Sequence, residues 1–184
     1  VMRHHEMEAD DVIADLAIHT LQKGDEKIIV SSDTDFIQLC QIENNDVKLY
    51  NPIKKDYRLP PEYPYALWKA LRGDSADNIG GIKGIGDKRA TMLLTQPNAL
   101  SEFFKGKPEV KDKYLHNVEM IELRKMSNEE FDQVEMSWST KTLDTLRDTF
   151  TQMKLKSMIT DKAWTNYSKP FGGLKDGRNY FTKR

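Results

Sequence analysis

Three groups of carboxylates have spacings that could do chemistry. Glu8, Asp10 and Asp11 fall within four residues, Asp33-Thr34-Asp35 follows a β-branched run, and Asp74 and Asp77 stand three apart. Acids in the first turn of a helix complement its dipole, and one or two there need no further explanation. Three so close repel one another, and a bound divalent cation relieves the repulsion. An Asp-x-Asp beyond a strand serves equally as a turn with an N-cap or as two carboxylates presented to one hard cation. Mg²⁺ takes oxygen ligands and keeps several waters, so carboxylates suit it. His4 and His5 could also bind metal, but a bare histidine pair beside a helix start is more often solvated.

The third acid group runs directly into Gly81-Ile82-Lys83-Gly84-Ile85-Gly86-Asp87-Lys88-Arg89-Ala90. Glycine stands wherever such a loop must turn sharply or approach a ligand closely. Ile82 and Ile85 are expected to anchor the loop in a core. Asp87 reads as the N-cap of a following helix. The first amides and dipole of that helix make an anion site beside Lys83, Lys88 and Arg89. This is a helix–hairpin–helix pattern for gripping a DNA backbone, positioning phosphates without reading bases. The plainer alternative is a glycine-rich turn between two packed helices.

These groups need elements to hold them. Apolar residues at helical spacing predict a helix over Ala9–Lys23, ended by Gly24. Lys27–Ser32 reads as a buried strand, with Asp33 and Asp35 at its carboxyl end, where sites form in open α/β sheets. Phe36–Gln41 reads as a short helix and Asp46–Asn51 as a strand broken by Pro52. A βαβ-type order brings Asp10 and Asp33 to one sheet edge. Helices are predicted over Glu62–Leu71, Lys88–Thr95, Ala99–Phe104, Lys111–Arg124 and Lys141–Lys154, the last capped by Thr140 or Thr142. The Met, Trp and Phe residues here read as core. Gly172–Phe181 contains an Asp-Gly suited to a tight hairpin. The expected division is an α/β metal-binding part at 1–60, a mainly helical DNA-binding region at 61–160 and a basic tail at 161–184.

The 184 residues carry a formal net charge of −1, which conceals an asymmetry. Residues 1–35 hold nine acids against three bases, whereas residues 154–184 hold eight bases against two acids. An acidic end and a basic end suit a metal site joined to a polyanion-binding surface. Cys40 is the single cysteine, so a disulfide framework is excluded, and a reducing cytoplasm is the expected compartment. No apolar run is long enough to span a membrane and no signal peptide is visible.

The order Glu8-Ala9-Asp10-Asp11, Ser32-Asp33-Thr34-Asp35, Gly73-Asp74-x-x-Asp77-Asn78 and Gly81-Ile82-Lys83-Gly84-Ile85-Gly86 with Lys88-Arg89-Ala90 closely resembles the flap endonuclease or 5′-nuclease family. That family includes phage 5′-exonucleases, the phage enzyme called ribonuclease H, and the 5′-nuclease domain of bacterial DNA polymerase I. The resemblance runs from residue 6 to about 96 and continues weakly through Lys154–Met158. It implies an α/β fold of the 5′-nuclease (PIN-like) kind, with a mixed or parallel sheet flanked by helices and a helix–three-turn–helix module. It implies Mg²⁺-dependent hydrolysis of phosphodiesters near 5′ ends, nicks and flap junctions, in DNA or an RNA–DNA hybrid, during replication or repair. Two metal ions about 4 Å apart serve that reaction, and Mn²⁺ substitutes for Mg²⁺.

By motif, the resemblance makes Asp10 the carboxylate nearest both metals, with Glu8 serving the first through water. Asp33 and Asp35 bind the second, and Asp10, Asp33 and Asp35 form the catalytic set. Asp74, with Asp11 and Asp77 less directly, completes the pocket. Gly81, Lys83, Gly84, Gly86, Lys88 and Arg89 hold the duplex, and in some relatives the hairpin also binds K⁺. The family's amino-terminal half, with further metal-binding aspartates and a basic arch, has no counterpart in this sequence, where seven residues precede the Glu-Ala-Asp-Asp motif. The expected sheet is therefore truncated, with an exposed edge or face. Three readings follow: a fragment of a larger nuclease, one half of a split nuclease completed by a separate amino-terminal polypeptide, or a non-catalytic duplex-binding module.

Overall fold

A computed structural model describes residues 1–20, 26–137 and 142–169. The predicted helix end at Gly24 and the Asp-Gly hairpin at 172–181 lie outside the described residues, as does most of the basic tail. The chain divides into two compact units, one of His4–Val134 and one of Val1–Arg3 with Glu135–Arg184.

In chain order the elements are β1 (Met2–Arg3), α1 (Ala9–Asp15), β2 (Lys27–Val30), α2 (Ile37–Cys40), β3 (Val47–Asn51), β4 (Asp56–Arg58) and α3 (Tyr65–Arg72). They continue with β5 (Gly73–Asp74), β6 (Ile79–Gly80), α4 (Asp87–Thr95), α5 (Ala99–Phe104), α6 (Pro108–Ile121), α7 (Asn128–Asp132) and β7 (Glu135–Met136). Last come α8 (Leu143–Gln152), α9 (Lys156–Ile159) and α10 (Asp161–Ser168). The molecule thus mixes helices with small sheets, as an α/β fold requires.

The larger unit holds a three-stranded mixed sheet in the order β2-β3-β4. β2 and β3 are parallel, with Ile29 opposite Leu49, and β4 returns antiparallel, with Leu49 opposite Arg58. β4 was not legible in the sequence. Pro52 ends β3 as expected, but the Asn51 side chain then accepts from the amides of Ile53 and Lys54, both at 2.9 Å, and folds the chain back. α1 widens into a π-helical turn over Leu16–Thr20. Ala14, Ala17, Phe36, Ile37, Leu39, Val47 and Leu49 form one core on the helix-covered face, with Ile29 packed against it. On β2's other face, Ile28 is 46% and Val30 is 62% exposed. The expectation of a fully buried strand is therefore corrected: the pleat sends alternate residues to opposite faces, and α1 and α2 cover only one. Beyond β2, no strand pairs at that edge among the described residues.

A second core joins α3, α4 and α6 through Ala66, Ala70, Leu71, Ile82, Ile85, Ala90, Leu93, Tyr114 and Ile121. Ala70 and Ala90 are fully buried, and their small side chains let the helices approach. Ile82 and Ile85 are buried as expected, each worth about 2 kcal/mol. α6 begins three residues earlier than predicted because Pro108 starts it, a position where its missing amide costs nothing. It also ends earlier, since Gln38 takes over there: its amide nitrogen donates to the Ile121 carbonyl at 3.0 Å and its oxygen accepts from the Leu123 amide at 3.3 Å.

In the smaller unit, β1 and β7 pair antiparallel, with Arg3 opposite Glu135 and bonded to it at 2.7 Å. Thr142 caps α8 and Thr160 caps α10. Phe150, Trp164 and Tyr167 stack edge-on or tilted between these helices.

Candidate metal centre and adjoining hairpin

Asp35, Asp74 and Asp77 each offer a carboxylate oxygen, and these atoms lie within 4.8 Å of one another. Asp35 follows β2 in a local turn, where its amide donates to Asp33 Oδ1 at 2.9 Å and the Asp33 amide donates to Ser31 Oγ at 3.0 Å. Asp74 lies in the two-stranded ribbon β5-β6, paired with Ile79. Its Oδ1 accepts from the Ala76 amide at 2.9 Å, and Asn78 closes the turn at φ 58°, a left-handed conformation asparagine tolerates. This turn brings Asp77 back beside Asp74.

Lys69, one helical turn before Gly73, is only 5% exposed. Its ammonium bonds both Asp35 and Asp74. Burial alone would lower the lysine's pKa, but the two carboxylates outweigh it and hold it above the ordinary value. Burial likewise would raise Asp74, yet Lys69 and the Ala76 amide hold it below the usual carboxylate range. Asp77 is pushed up, by burial first and then by the charge of Asp74. Asp10 is raised by burial and then by the charges of Asp33, Asp35, Glu8 and Asp11. The acids of three separate sequence segments therefore share one electrostatic field.

The predicted residues are not placed alike. Asp35, Asp74 and Asp77 form the close group, and Asp10 lies within electrostatic range of both Asp33 and Asp35. Glu8 precedes α1 in extended backbone without a side-chain capping bond. One oxygen of Asp11 accepts from the Arg124 amide at 2.7 Å. His4 Nδ1 accepts from the amides of Glu6 and Met7, both at 3.1 Å, which gives it a local structural task. Three carboxylates against one lysine leave an excess of two negative charges in an all-oxygen donor set. That chemistry fits a hard divalent cation such as Mg²⁺ or Mn²⁺.

The hairpin begins where β6 ends. A Cβ on Gly81 would stand 2.0 Å from the Arg72 carbonyl oxygen, and one on Gly73 would stand 2.4 Å from the Gly81 nitrogen. Backbone meets backbone here, which only glycine permits. Gly84 takes φ 78°. Gly86 has open space around it and φ −105°, so its conformation does not require glycine. Gly86 is also the N-cap of α4, which corrects the assignment of Asp87. The Asp87 carboxylate instead accepts from Arg72 Nε at 2.6 Å, and its carbonyl accepts from Trp68 Nε1 at 3.3 Å. Arg89 is tied inward too: it donates to the Gly84 carbonyl at 3.3 Å and stacks over Phe103 at 5.4 Å. Lys83 and Lys88 are exposed.

Sequence reasoning missed Lys69 and two α6 residues that touch this region, Lys113 and Asn117. For Lys69 a signal existed: it shares a helix face with the core residues Ala66 and Ala70, where an unpaired lysine would be costly.

No protein-family model matches the chain. It is 36% identical over 119 residues to DNA polymerase I of Bacillus subtilis (strain 168), covering 59% of this chain and 13% of that protein. It is 36% identical over 131 residues to the thermostable DNA polymerase I of Thermus thermophilus, covering 65% of this chain and 16% of that protein. With the 5′-3′ exonuclease of Buchnera aphidicola subsp. Schizaphis graminum (strain Sg) it is 41% identical over 95 residues, 48% of this chain and 33% of that protein. The matched stretches thus span between 13% and 33% of these relatives. Among the described residues, no helix is long and apolar enough to cross a membrane. The chain is thus similar to proteins of these two kinds over part of its length, in line with its resemblance to the 5′-nuclease family, and its acid cluster runs into a glycine hairpin.

Proposed function

We propose that this chain is a metal-dependent, structure-specific 5′-nuclease, or the part of one that carries most of its second metal site and its duplex grip. The observation that carries this reading is the close group of Asp35, Asp74 and Asp77, set one short ribbon ahead of the glycine hairpin. Asp35 and Asp33, with Asp10, would form the catalytic carboxylate set. Asp74 and Asp77, with Glu8 and Asp11 further out, would complete the pocket. When bound, two Mg²⁺ ions would supply an activated water and charge stabilisation at the leaving oxygen.

The chain's own residues do the rest. The carboxylates would hold those cations beside the scissile phosphate. Lys69 bridges Asp35 and Asp74 in the free protein, offsets one of their two charges and sets how the two point. The hairpin Gly81–Gly86 and the start of α4 would hold the duplex backbone as a helix–three-turn–helix, with Lys83 and Lys88 beside the phosphates and K⁺ as a further ligand of the loop. The substrate is DNA with a 5′ flap, nick or end, or an RNA–DNA hybrid, in the cytoplasm. An amino-terminal half, in the same polypeptide or in a separate one, would supply the remaining metal ligands.

The rival reading, a duplex-binding module without catalysis, draws on one observation: the Lys69 ammonium already bridges two of the three carboxylates. One experiment separates the two. Cleavage of a 5′-flap substrate and a nicked duplex is followed with Mg²⁺ or Mn²⁺, with and without an added amino-terminal nuclease half. The nuclease reading expects metal-dependent cleavage, and expects Asp33→Ala to lower it by about 10²-fold or more while duplex binding in EDTA is kept. Duplex binding without cleavage under any of these conditions would establish the module instead.

A further inference from the structure

Asn117 lies in the middle of α6 and is only 4% exposed. A side-chain amide has two N–H donors in one plane. Here the same nitrogen donates to the Ala70 carbonyl at 2.9 Å and to the Gly80 carbonyl at 3.0 Å. These acceptors belong to different segments. Ala70 follows Lys69 on α3 and is among the last carbonyls of that helix, which lack a partner within it. Gly80 pairs with Gly73 across the ribbon and is the residue between the acid turn and the hairpin. One turn earlier on the same face of α6, Lys113 Nζ donates to the Gly81 carbonyl at 2.9 Å. The Ile82 amide completes the joint by donating to the Leu71 carbonyl at 2.8 Å. Two α6 side chains therefore fix the short run that separates Asp77 from the hairpin, and one of them also holds the helix bearing Lys69.

We infer that Asn117, supported by Lys113, is a positioning residue: it sets the spacing between the carboxylate group and the hairpin, and thereby selects which phosphodiester the nuclease cuts. This rests on the nuclease reading above. Neither residue touches substrate or metal in this role. The hairpin keeps its own anchors, Ile82 and Ile85, and the carboxylates keep Lys69, so losing the Asn117 bonds would loosen the spacing while leaving each half formed.

The test maps cut positions on a 5′-flap substrate at single-nucleotide resolution, beside thermal melting and duplex binding in EDTA. Asn117→Leu, close in size but without donors, is expected to bind duplex as the wild type does. It should cut up to about 10²-fold more slowly and at several adjacent bonds in place of one. A folded Asn117→Leu protein that cuts at the wild-type bond with the wild-type rate overturns the inference, because a purely structural role would move only the melting temperature. Should Asn117→Leu fail to fold, the exposed Lys113→Met removes the Gly81 bond alone. A broadened cut distribution in that variant supports the inference and an unchanged one overturns it. A wild type that binds duplex and does not cut, even with the amino-terminal half added, defeats the nuclease reading. The spacing is then read without turnover, from Tb³⁺ luminescence with an acceptor dye on the duplex end. One lifetime in the wild type and a spread in Asn117→Leu supports the positioning role, and identical lifetimes overturn it.

Discussion

A Cβ on Gly81 has nowhere to go, since 2.0 Å from a carbonyl oxygen is far inside contact distance and the clashing atom is backbone. A Cβ on Gly86, five positions later in the same glycine run, meets nothing within 4 Å. Gly81→Ala should therefore cost about 3 kcal/mol or more, and Gly86→Ala should stay within about 0.5 kcal/mol. Urea denaturation of the two variants checks the contrast. Equal costs would mean that the ribbon and hairpin do not pack as described. Lys69 gives a second residue-scale outcome. Lys69→Met leaves Asp35 and Asp74 largely buried without their cation, a change expected to cost about 3 kcal/mol. Mg²⁺ should then raise the melting temperature of the variant more than that of the wild type, because the ion takes over the charge the lysine balanced. Equal Mg²⁺ responses would show that no ion binds beside these carboxylates.

α6 is the element that holds the helical part together, and its behaviour at high pH is predictable. Tyr114 packs into the core, and burial together with the charge of Glu122 pushes its hydroxyl up to about 12, against an ordinary value of 10.0. The folded protein keeps that proton where the unfolded chain has released it. The tyrosine's contribution is thus whole below pH 10 and is lost as the pH climbs toward 12, by up to about 3 kcal/mol. Tyr114→Phe removes this titration, so the gap between its stability and the wild type's should shift in the variant's favour across that range. A gap that stays constant with pH would contradict the burial of the hydroxyl. The bounds of α6 illustrate how far an element can be read in advance. Its apolar spacing was plain, but the end at Ile121 depends on Gln38, more than eighty positions earlier in the chain.

For the whole molecule, the acidic and basic stretches seen in the sequence fall in different compact units, apart from the first three residues. Duplex affinity within the larger unit is expected to come from the hairpin's exposed lysines. Replacing Lys83 and Lys88 by Ala should weaken duplex binding for every sequence alike and reduce the slope of log affinity against log salt by about 1 to 2. A sequence-dependent loss, or an unchanged slope, would mean that these lysines do not face phosphates. Arg89 is left out of that pair because it also braces Gly84 and stacks on Phe103, so its loss would mix charge with hairpin geometry.

By itself the sequence determined which residue types were available and in what local setting. The Asp-x-Asp after a strand, the Gly-Asp before a glycine run, the two isoleucine anchors, α5, and α4 to within one residue follow from spacing and turn chemistry over a few positions. Only the tertiary structure decided which acids meet, that a buried lysine stands between two of them, and that Asn117 ties their turn to the hairpin. Lys69 reaches Asp35 across 34 positions and Asn117 reaches Ala70 across 47. No local periodicity encodes such pairings. They exist because α3, α4 and α6 pack on one core, and buried polar groups must find partners wherever that packing places them.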